Sequence, residues 1–339
     1  MPGCLRIRGK LDVKQFWPKG TADADTVNLV VDVNRRSFQF AIDGRNFRTT
    51  KVFFGAKSIG KGSKQVVSDK NKITVRLQGV DAPELHYKAS PLKGGSVPPT
   101  KRKRFNEANK ERLQHWGETA ASLLGKKIAT FGDDSIDCEF LSVVDKPFDV
   151  TDVYGRFVGN VRVGPNFKLD INTWLVENAL AYPAFYDSMS QDEIETLLKA
   201  MKKGRRKKRV FKDYSKDTTV FFANLLYRRP KKNVVIDLRD DTGALLMPKV
   251  FRRQVTFRMK KKAGLITGSF VKFMKTEKDQ FHDLDEFLKP TGGRNAPVRD
   301  FHELFGGNAF NAQAHEVVIR EEGATLVDSR GREVDDFFP

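Results

Sequence analysis

The chain is poor in the residues that build disulfide frameworks and thiolate metal sites. Among 339 residues there are two cysteines, Cys4 and Cys138. Two are too few for a disulfide scaffold or a cysteine-based zinc site, and they favour a reducing compartment. The five histidines, His86, His115, His282, His302 and His315, show no metal-ligand spacing, which argues against zinc chemistry. No apolar run approaches the ~18–20 residues of a membrane span. The first residues lack the apolar stretch of a signal peptide. These absences exclude an integral membrane protein and lead to the expectation of a cytoplasmic one. No internal repeat recurs at a fixed period.

What the chain has in excess is positive charge: 61 Lys+Arg against 43 Asp+Glu, net +18. It also has 27 Phe and 39% hydrophobic residues, enough for real cores. Length suggests about two domains at roughly 100–200 residues each. The charge is uneven. Residues 1–276 hold 54 basic and 29 acidic side chains, whereas residues 277–339 hold 7 and 14. A basic body with an acidic end points to a polyanion partner, nucleic acid above all, and the lack of a membrane span leads to the expectation of no membrane partner.

Residues 27–33, 37–42, 46–53 and 73–80 read as strands, with Asp43-Gly44 as a hairpin turn. In the last, Ile73, Val75 and Leu77 face one way while Thr74, Arg76 and Gln78 face the other. Residues 55–72 read as a flexible loop. Residues 105–125 read as one helix, 127–144 and 157–163 as strands, and 171–181 as a short helix capped by Asn172 or Asp170. A further helix over 190–203 opens with the capping box Ser190-Gln191-Asp192-Glu193 and runs into the basic stretch 202–209. Beyond a linker, strand-like pieces lie at 233–238, 254–259, 268–274 and 315–319. The stretch 250–262 (VFRRQVTFRMKKK), around the second of them, alternates aromatic and basic residues. A turn at 329–331 suggests a closing hairpin.

Three clusters carry chemistry. Asp23-Ala24-Asp25-Thr26-Val27 enters a strand. Arg76-Leu77-Gln78-Gly79-Val80-Asp81-Ala82-Pro83-Glu84 leaves one, with Pro83 stiffening the turn. Asp152-Val153-Tyr154-Gly155-Arg156 turns between two. Carboxylates and backbone carbonyls are the hard oxygen donors that Ca²⁺ or Mg²⁺ prefers. An arginine fork beside them matches two phosphate oxygens. A metal, arginines and a water-orienting carboxylate make a kit for hydrolysing a phosphodiester.

In this order, and with the helix Asn172-Thr-Trp-Leu-Val-Glu-Asn-Ala-Leu-Ala181, the clusters resemble a staphylococcal-nuclease-like (thermonuclease) domain over about residues 12–212. The resemblance implies an α+β fold: an SNase-like OB-fold β-barrel with three helices, followed here by a smaller mixed, mainly β C-terminal domain. The implied organisation is an N-terminal extension at 1–11 and a nuclease domain at 12–212 with insertions at about 34–72 and 85–105. A linker at 213–232 and a C-terminal domain at 233–339 with an acidic end complete it. The resemblance further implies that Asp25, Asp81 and the backbone carbonyl of Ala82 bind Ca²⁺, with Mg²⁺ or another divalent ion as the alternative. Glu84 would orient or activate water, Arg76 and Arg156 would bind the scissile phosphate, and Tyr154 would lie near the nucleotide. The leaving group would be the sugar 5′-oxygen. The implied activity is metal-dependent hydrolysis of DNA or RNA with low sequence specificity.

Two other readings stand beside it: a non-catalytic nucleic-acid-binding scaffold of the same fold, and a nuclease recruited to a protein partner through its C-terminal domain. The basic run Lys101, Arg102, Lys103 and Arg104, close in sequence to Glu84, is expected to contact the substrate backbone. The acidic stretch after Glu277 is expected to pair with the basic body.

Overall fold

Apolar residues at every second position give five strands one face to bury, and those strands close on themselves. They are β1 (Gly3–Asp12), β2 (Thr26–Val31), β3 (Lys72–Leu77), β4 (Ser135–Val144) and β5 (Phe157–Val163). Strand β1 pairs with β2 and β4, β2 with β3, and β4 with β5, all antiparallel. The parallel pairing of β3 with β5 closes the ring. This is a five-stranded barrel of OB type. Ile73, Val75 and Leu77 face inward with Val27, Leu29 and Val31, as the alternation requires. Cys138 sits in the same core, and burial pushes its thiol up to about 12, so it is inert at neutral pH. The computed structural model describes residues 3–32, 37–60, 62–95, 97–220, 226, 241–321 and 323–338.

The chain divides into two compact units that do not follow sequence order. One comprises Met1–Gln78, Ala121–Leu175 and Glu322–Pro339; the other comprises Gly79–Ala120 and Val176–Glu321. The first unit contains the barrel and additions to its sheet. Phe38–Ala41 pairs with the first half of β1, and Arg48–Thr49 pairs with Phe38–Ala41 across the expected hairpin. The Asp43 carboxylate accepts the N–H groups of Arg45 and Asn46 in that turn.

Residues 55–72, expected as a loop, instead contain the hairpin Lys57–Gly60 and Gly62–Gln65. Its partner comes from the far end of the chain: Thr325–Val327 pairs antiparallel with Lys57–Gly60. The same tail then reaches the aromatic core. The Phe337 ring stacks on Phe40 with centroids 3.7 Å apart, and the Thr50 hydroxyl donates to the Phe337 carbonyl at 2.7 Å. The turn expected at 329–331 is formed, with Gly331 N–H donating to Asp328 O at 3.1 Å.

The second unit combines helices with short strands. The capping box at Ser190 forms in both directions at the start of helix Gln191–Gly204. Asp170, rather than Asn172, takes the capping role for the helix Ile171–Glu177, which starts in the first unit, accepting the Thr173 N–H at 2.9 Å. Two stretches expected as strands are helices: Pro248–Lys262 and Phe270–Glu277. Pro248 is pre-organised for the first helical position. The buried residues Val250, Phe251, Gln254 and Val255 then recur at helical spacing. Ser269 caps the second helix by accepting the Lys272 N–H. Beyond the helices the C-terminal region is mainly short strands. Val317–Ile319 pairs with Gln280–Asp283 and Phe185–Tyr186. The strand-like piece at 233–238 lies outside the described residues.

Because Phe337 is buried against the ring of Phe40, Phe337→Ala is expected to destabilise the protein by about 3 kcal/mol. Equilibrium urea unfolding of the full chain measures it. A change below about 0.5 kcal/mol, the size of an ordinary surface substitution, would mean that the tail is not part of the core.

Candidate functional site

Each ion pair of the three clusters forms inside one unit, and the second cluster is divided between the two after Gln78. In the barrel unit, β2 and β3 are registered so that Thr26 lies opposite Arg76. Asp25 is thereby carried to the Arg76 side chain, and a 3.2 Å ion pair joins Arg76 Nη1 to Asp25 Oδ2. Asp25 is only 3% exposed. Its other carboxylate oxygen accepts the Thr26 hydroxyl at 3.2 Å, and its carbonyl accepts the Leu77 N–H at 2.9 Å.

Arg156 enters the strand beside β3. The register pairs Val158 with Arg76. Alternation then puts Arg156 on the same sheet face as Arg76, two positions earlier. The turn before it is organised by Asp152. One oxygen of that carboxylate accepts the N–H groups of Tyr154 and Arg156, both at 2.9 Å. The other accepts the Arg156 guanidinium at 2.7 Å. Tyr154 is 49% exposed, and its ring lies 5.4 Å from the Arg156 guanidinium carbon. Two phosphate-type arginines thus share a face, each oriented by an aspartate.

The end of β3 is pinned from the same unit. Asn172 is buried and donates to the carbonyls of Gln78 at 2.8 Å and Gly159 at 3.2 Å. It also accepts the Val161 N–H.

In the second unit the chain continues from Gly79. That glycine has φ +72°, and a Cβ there would overlap Leu197 and Met189 side-chain atoms. Val80–Asp81 pairs with Tyr182–Pro183. Asp81 and Ala82 are each 1% exposed, and Glu84 is 9% exposed.

Both acids face helix Pro248–Lys262. Nη1 of Arg252 donates to Asp81 Oδ1 at 3.3 Å and makes a close contact with Glu84 Oε1. Glu84 is also fixed through its backbone. Gln114 accepts its N–H at 3.1 Å and returns its own N–H to the Glu84 carbonyl at 2.7 Å. The Gln114 amide reaches on to Leu246 O at 3.0 Å. Gly117 allows this approach, because a Cβ there would stand 2.8 Å from the Glu84 carbonyl oxygen.

These contacts explain why residues 105–125 do not form one helix. Pro99–Ala108 and Gly117–Ala129 are separate helices. Between them Arg112 and Gln114 donate their N–H groups to the carbonyls of Tyr87 and Glu84 rather than to the preceding helical turn.

The basic run lies on the first of these helices. Lys101, Lys103 and Arg104 are exposed, Arg102 is half-buried, and the buried Phe105 anchors the helix. No acidic residue stands in its first turn. Of the second basic stretch, Arg205 and Lys208 line a cavity of about 370 Å³ together with Lys212, Tyr182 and His315.

The acidic stretch finds its partners on helix Pro248–Lys262. Asp279 takes the Arg253 guanidinium and the Lys249 ammonium, and Glu277 takes Arg253 and Lys260. Burial alone would raise the Asp279 pKa; Lys249 and Arg253 hold it below the usual carboxylate range.

Sequence reasoning missed Arg252 and Gln114. The alternation of aromatic and basic residues at 250–262 suggests a strand, which would scatter its arginines over two faces. The usable signal was Pro248, which marks a helix start and puts Lys249, Arg252 and Thr256 on one side.

Among the described residues no group of three or more His, Cys, Asp or Glu is arranged to hold a metal ion. No helix there is long and apolar enough to cross a membrane.

Residues 74–211 match the family model described as staphylococcal nuclease homologue. The match spans Arg76, Asp81, Ala82, Glu84, Lys101, Arg102, Lys103, Arg104, Tyr154 and Arg156, and begins after Asp25. With the closed five-stranded barrel it makes this part of the chain an SNase-like OB-fold, a type that points to nucleases and nucleic-acid-binding proteins. The C-terminal region has no family match. No curated protein matches the chain.

Gln114→Leu removes the partner of the Glu84 N–H and of the Leu246 carbonyl. The expected cost is about 1–3 kcal/mol in urea unfolding. Faster amide exchange at Glu84 should accompany it. Unchanged protection at Glu84 would show that Gln114 does not position it.

Proposed function

We propose that this chain, whose residues 74–211 are of the staphylococcal nuclease type, is a metal-dependent nuclease. In this reading it hydrolyses phosphodiester bonds of DNA or RNA with little sequence preference. The observation that carries the reading is the state of Glu84. It is a buried carboxylate three residues beyond Val80–Asp81, its backbone N–H held by Gln114 and its Oε1 held by Arg252 instead of lying solvated in a turn. A carboxylate in that condition is a base with a fixed direction, as general-base catalysis requires.

The divalent ion, Ca²⁺ or a substitute, would be held by Asp25, Asp81 and the carbonyl of Ala82. Their chemistry fits it: they are hard oxygen donors. The two carboxylates are almost fully buried and already carry positive partners, Arg76 on Asp25 and Arg252 on Asp81. The set has two carboxylate side chains and one peptide carbonyl, so it is no cluster of three acidic or histidine side chains. When bound, such an ion supplies charge neutralisation and polarises a phosphoryl oxygen.

The protein groups do the rest. Arg76 and Arg156, on one sheet face, take the non-bridging phosphate oxygens through their planar forks, and their hold tightens as charge accumulates in the transition state. Asp152 fixes the rotamer of Arg156, so less side-chain entropy is lost when phosphate binds. Glu84 accepts a proton from the attacking water as the new P–O bond forms and the bond to the sugar 5′-oxygen breaks. The departing oxygen takes up a proton from solvent. Tyr154, exposed beside Arg156, flanks the nucleotide.

The helix bearing Lys101, Arg102, Lys103 and Arg104 supports a polyanion substrate. Four cations near its N-terminal end oppose the helix dipole. A phosphate backbone lying along them removes that conflict.

Incubation of the full-length protein with single- and double-stranded DNA and RNA, in Ca²⁺, Mg²⁺ or EDTA, tests the activity. Metal-dependent cleavage is expected, and Glu84→Gln should lower its rate about 10²–10⁴-fold while binding persists. Cleavage that survives Glu84→Gln would remove Glu84 from its role. Binding without cleavage in every condition would favour the non-catalytic scaffold. Separately, replacing Lys101, Arg102, Lys103 and Arg104 by Gln should flatten the salt dependence of binding. Each lost phosphate contact changes the slope by about 0.7–0.9; an unchanged slope would mean that the helix touches no substrate.

A further inference from the structure

Helix Pro248–Lys262 brings a cation to the acids that the nuclease reading assigns to metal and water. One nitrogen of Arg252 meets the carboxylates of both Asp81 and Glu84. Neither acid has much access to water, with side chains 1% and 11% exposed. This arginine lies outside the residues that match the nuclease family.

Arg252 is not a surface side chain that happens to fold inward. Its helix is fixed on both sides. Lys249 and Arg253 bind Asp279, and Lys260 binds Glu277. Thr256, one turn beyond Arg252, lies 3.3 Å from the Tyr87 hydroxyl, three residues past Glu84 in sequence. Val250, Phe251 and Val255 are buried in the core of the unit. The guanidinium is therefore delivered to Asp81 and Glu84 by a rigid support.

Resting on the nuclease reading, we propose that Arg252 is a resident counter-ion of the site, competing with the divalent cation for Asp81 and positioning Glu84. The physical reason is charge. Two buried carboxylates cannot both remain ionised without compensation. Arg252 supplies one positive charge to the pair. A divalent ion arriving on Asp81 brings two more beside the guanidinium, and like charges at such range repel. The guanidinium must leave Asp81, where its contact is the longer one at 3.3 Å, and it can do so while the same nitrogen keeps Glu84. Divalent affinity is then set by the difference between two cations on one carboxylate. In the absence of metal the acids stay paired, and the fold is spared their mutual repulsion.

The test uses the full-length protein and CaCl₂ as the probe. Calorimetric titration is expected to show Ca²⁺ binding about tenfold tighter in Arg252→Gln than in the wild type, because one repelling charge is gone. Arg252→Lys keeps the charge and should stay within about threefold of the wild type. The melting temperature of Arg252→Gln should fall in EDTA and rise more steeply with CaCl₂ than that of the wild type.

A measurement on the wild type guards against a variant that does not fold. In arginine side-chain ¹⁵N NMR the Arg252 resonance should move as CaCl₂ is added. An Arg252 signal unchanged at saturating CaCl₂ would overturn the proposal. So would equal or weaker Ca²⁺ binding by a folded Arg252→Gln, or no Ca²⁺ binding by either protein.

Cleavage is scored apart from this. A protein that cuts nucleic acid but gains no affinity in Arg252→Gln keeps the nuclease reading and loses this one. A protein that gains affinity but cuts nothing does the reverse.

Discussion

A carboxylate taken out of water must find a positive partner or donors for its oxygens, and that constraint recurs wherever this chain does something unusual. Asp25 is held by Arg76, Asp152 by Arg156, Asp81 and Glu84 by Arg252, and Asp279 by Arg253 and Lys249. In each case the fold around the pair follows from the need to make it. The register of β2 on β3 carries Asp25 to Arg76. The turn at Asp152 closes on the backbone N–H groups that its carboxylate also accepts. The chain between the helices Pro99–Ala108 and Gly117–Ala129 abandons helical bonding so that Gln114 can fix Glu84. Partners of this kind fix orientation more than they add stability, because desolvation offsets much of the attraction. Orientation is what a site acting on phosphate needs.

The charge asymmetry of the chain takes a different form in three dimensions. The acidic stretch does not neutralise the basic body in general. Glu277 and Asp279 spend their charge on Lys249, Arg253 and Lys260, and so stiffen the helix that offers Arg252. The last residues join the barrel unit instead, through a strand and stacked rings. Within the described residues, the acidic end is two segments with two structural roles.

Local rules made much of this readable before the fold was known. Ile73, Val75 and Leu77 alternate and are buried, and Ser190 and Glu193 form the capping box that their spacing announces. The acids and arginines of the three clusters were visible for the same reason: they sit at strand ends, where alternation breaks and turn residues cluster. Arg252 was not, because its meaning depends on Asp81 and Glu84, more than 160 positions away in sequence. Periodicity at 250–262 was also ambiguous, with basic and aromatic residues alternating on a segment that tertiary packing made helical. The hairpin at 57–65 was hidden by its own composition. Gly, Lys and Ser make a weak strand, and Lys57–Gly60 is secured by Thr325–Val327, which no local window contains.

That last pairing bears on how the molecule is made. The edge of Lys57–Gly60 emerges early in synthesis, while its partner strand and the Phe337 ring emerge only after residues 325–338 have been added. At ordinary elongation speeds of ~5–20 residues per second, the interval is on the order of tens of seconds. Throughout it the nascent barrel unit carries an unpaired strand edge and an open aromatic surface beside Phe40, the kind of exposure that invites wrong partners. Completion of the unit is therefore a late event in the life of the chain. Lys57 on that strand and Lys64 on its hairpin partner put positive charge beside the opening, and charge of this kind discourages edge-to-edge association.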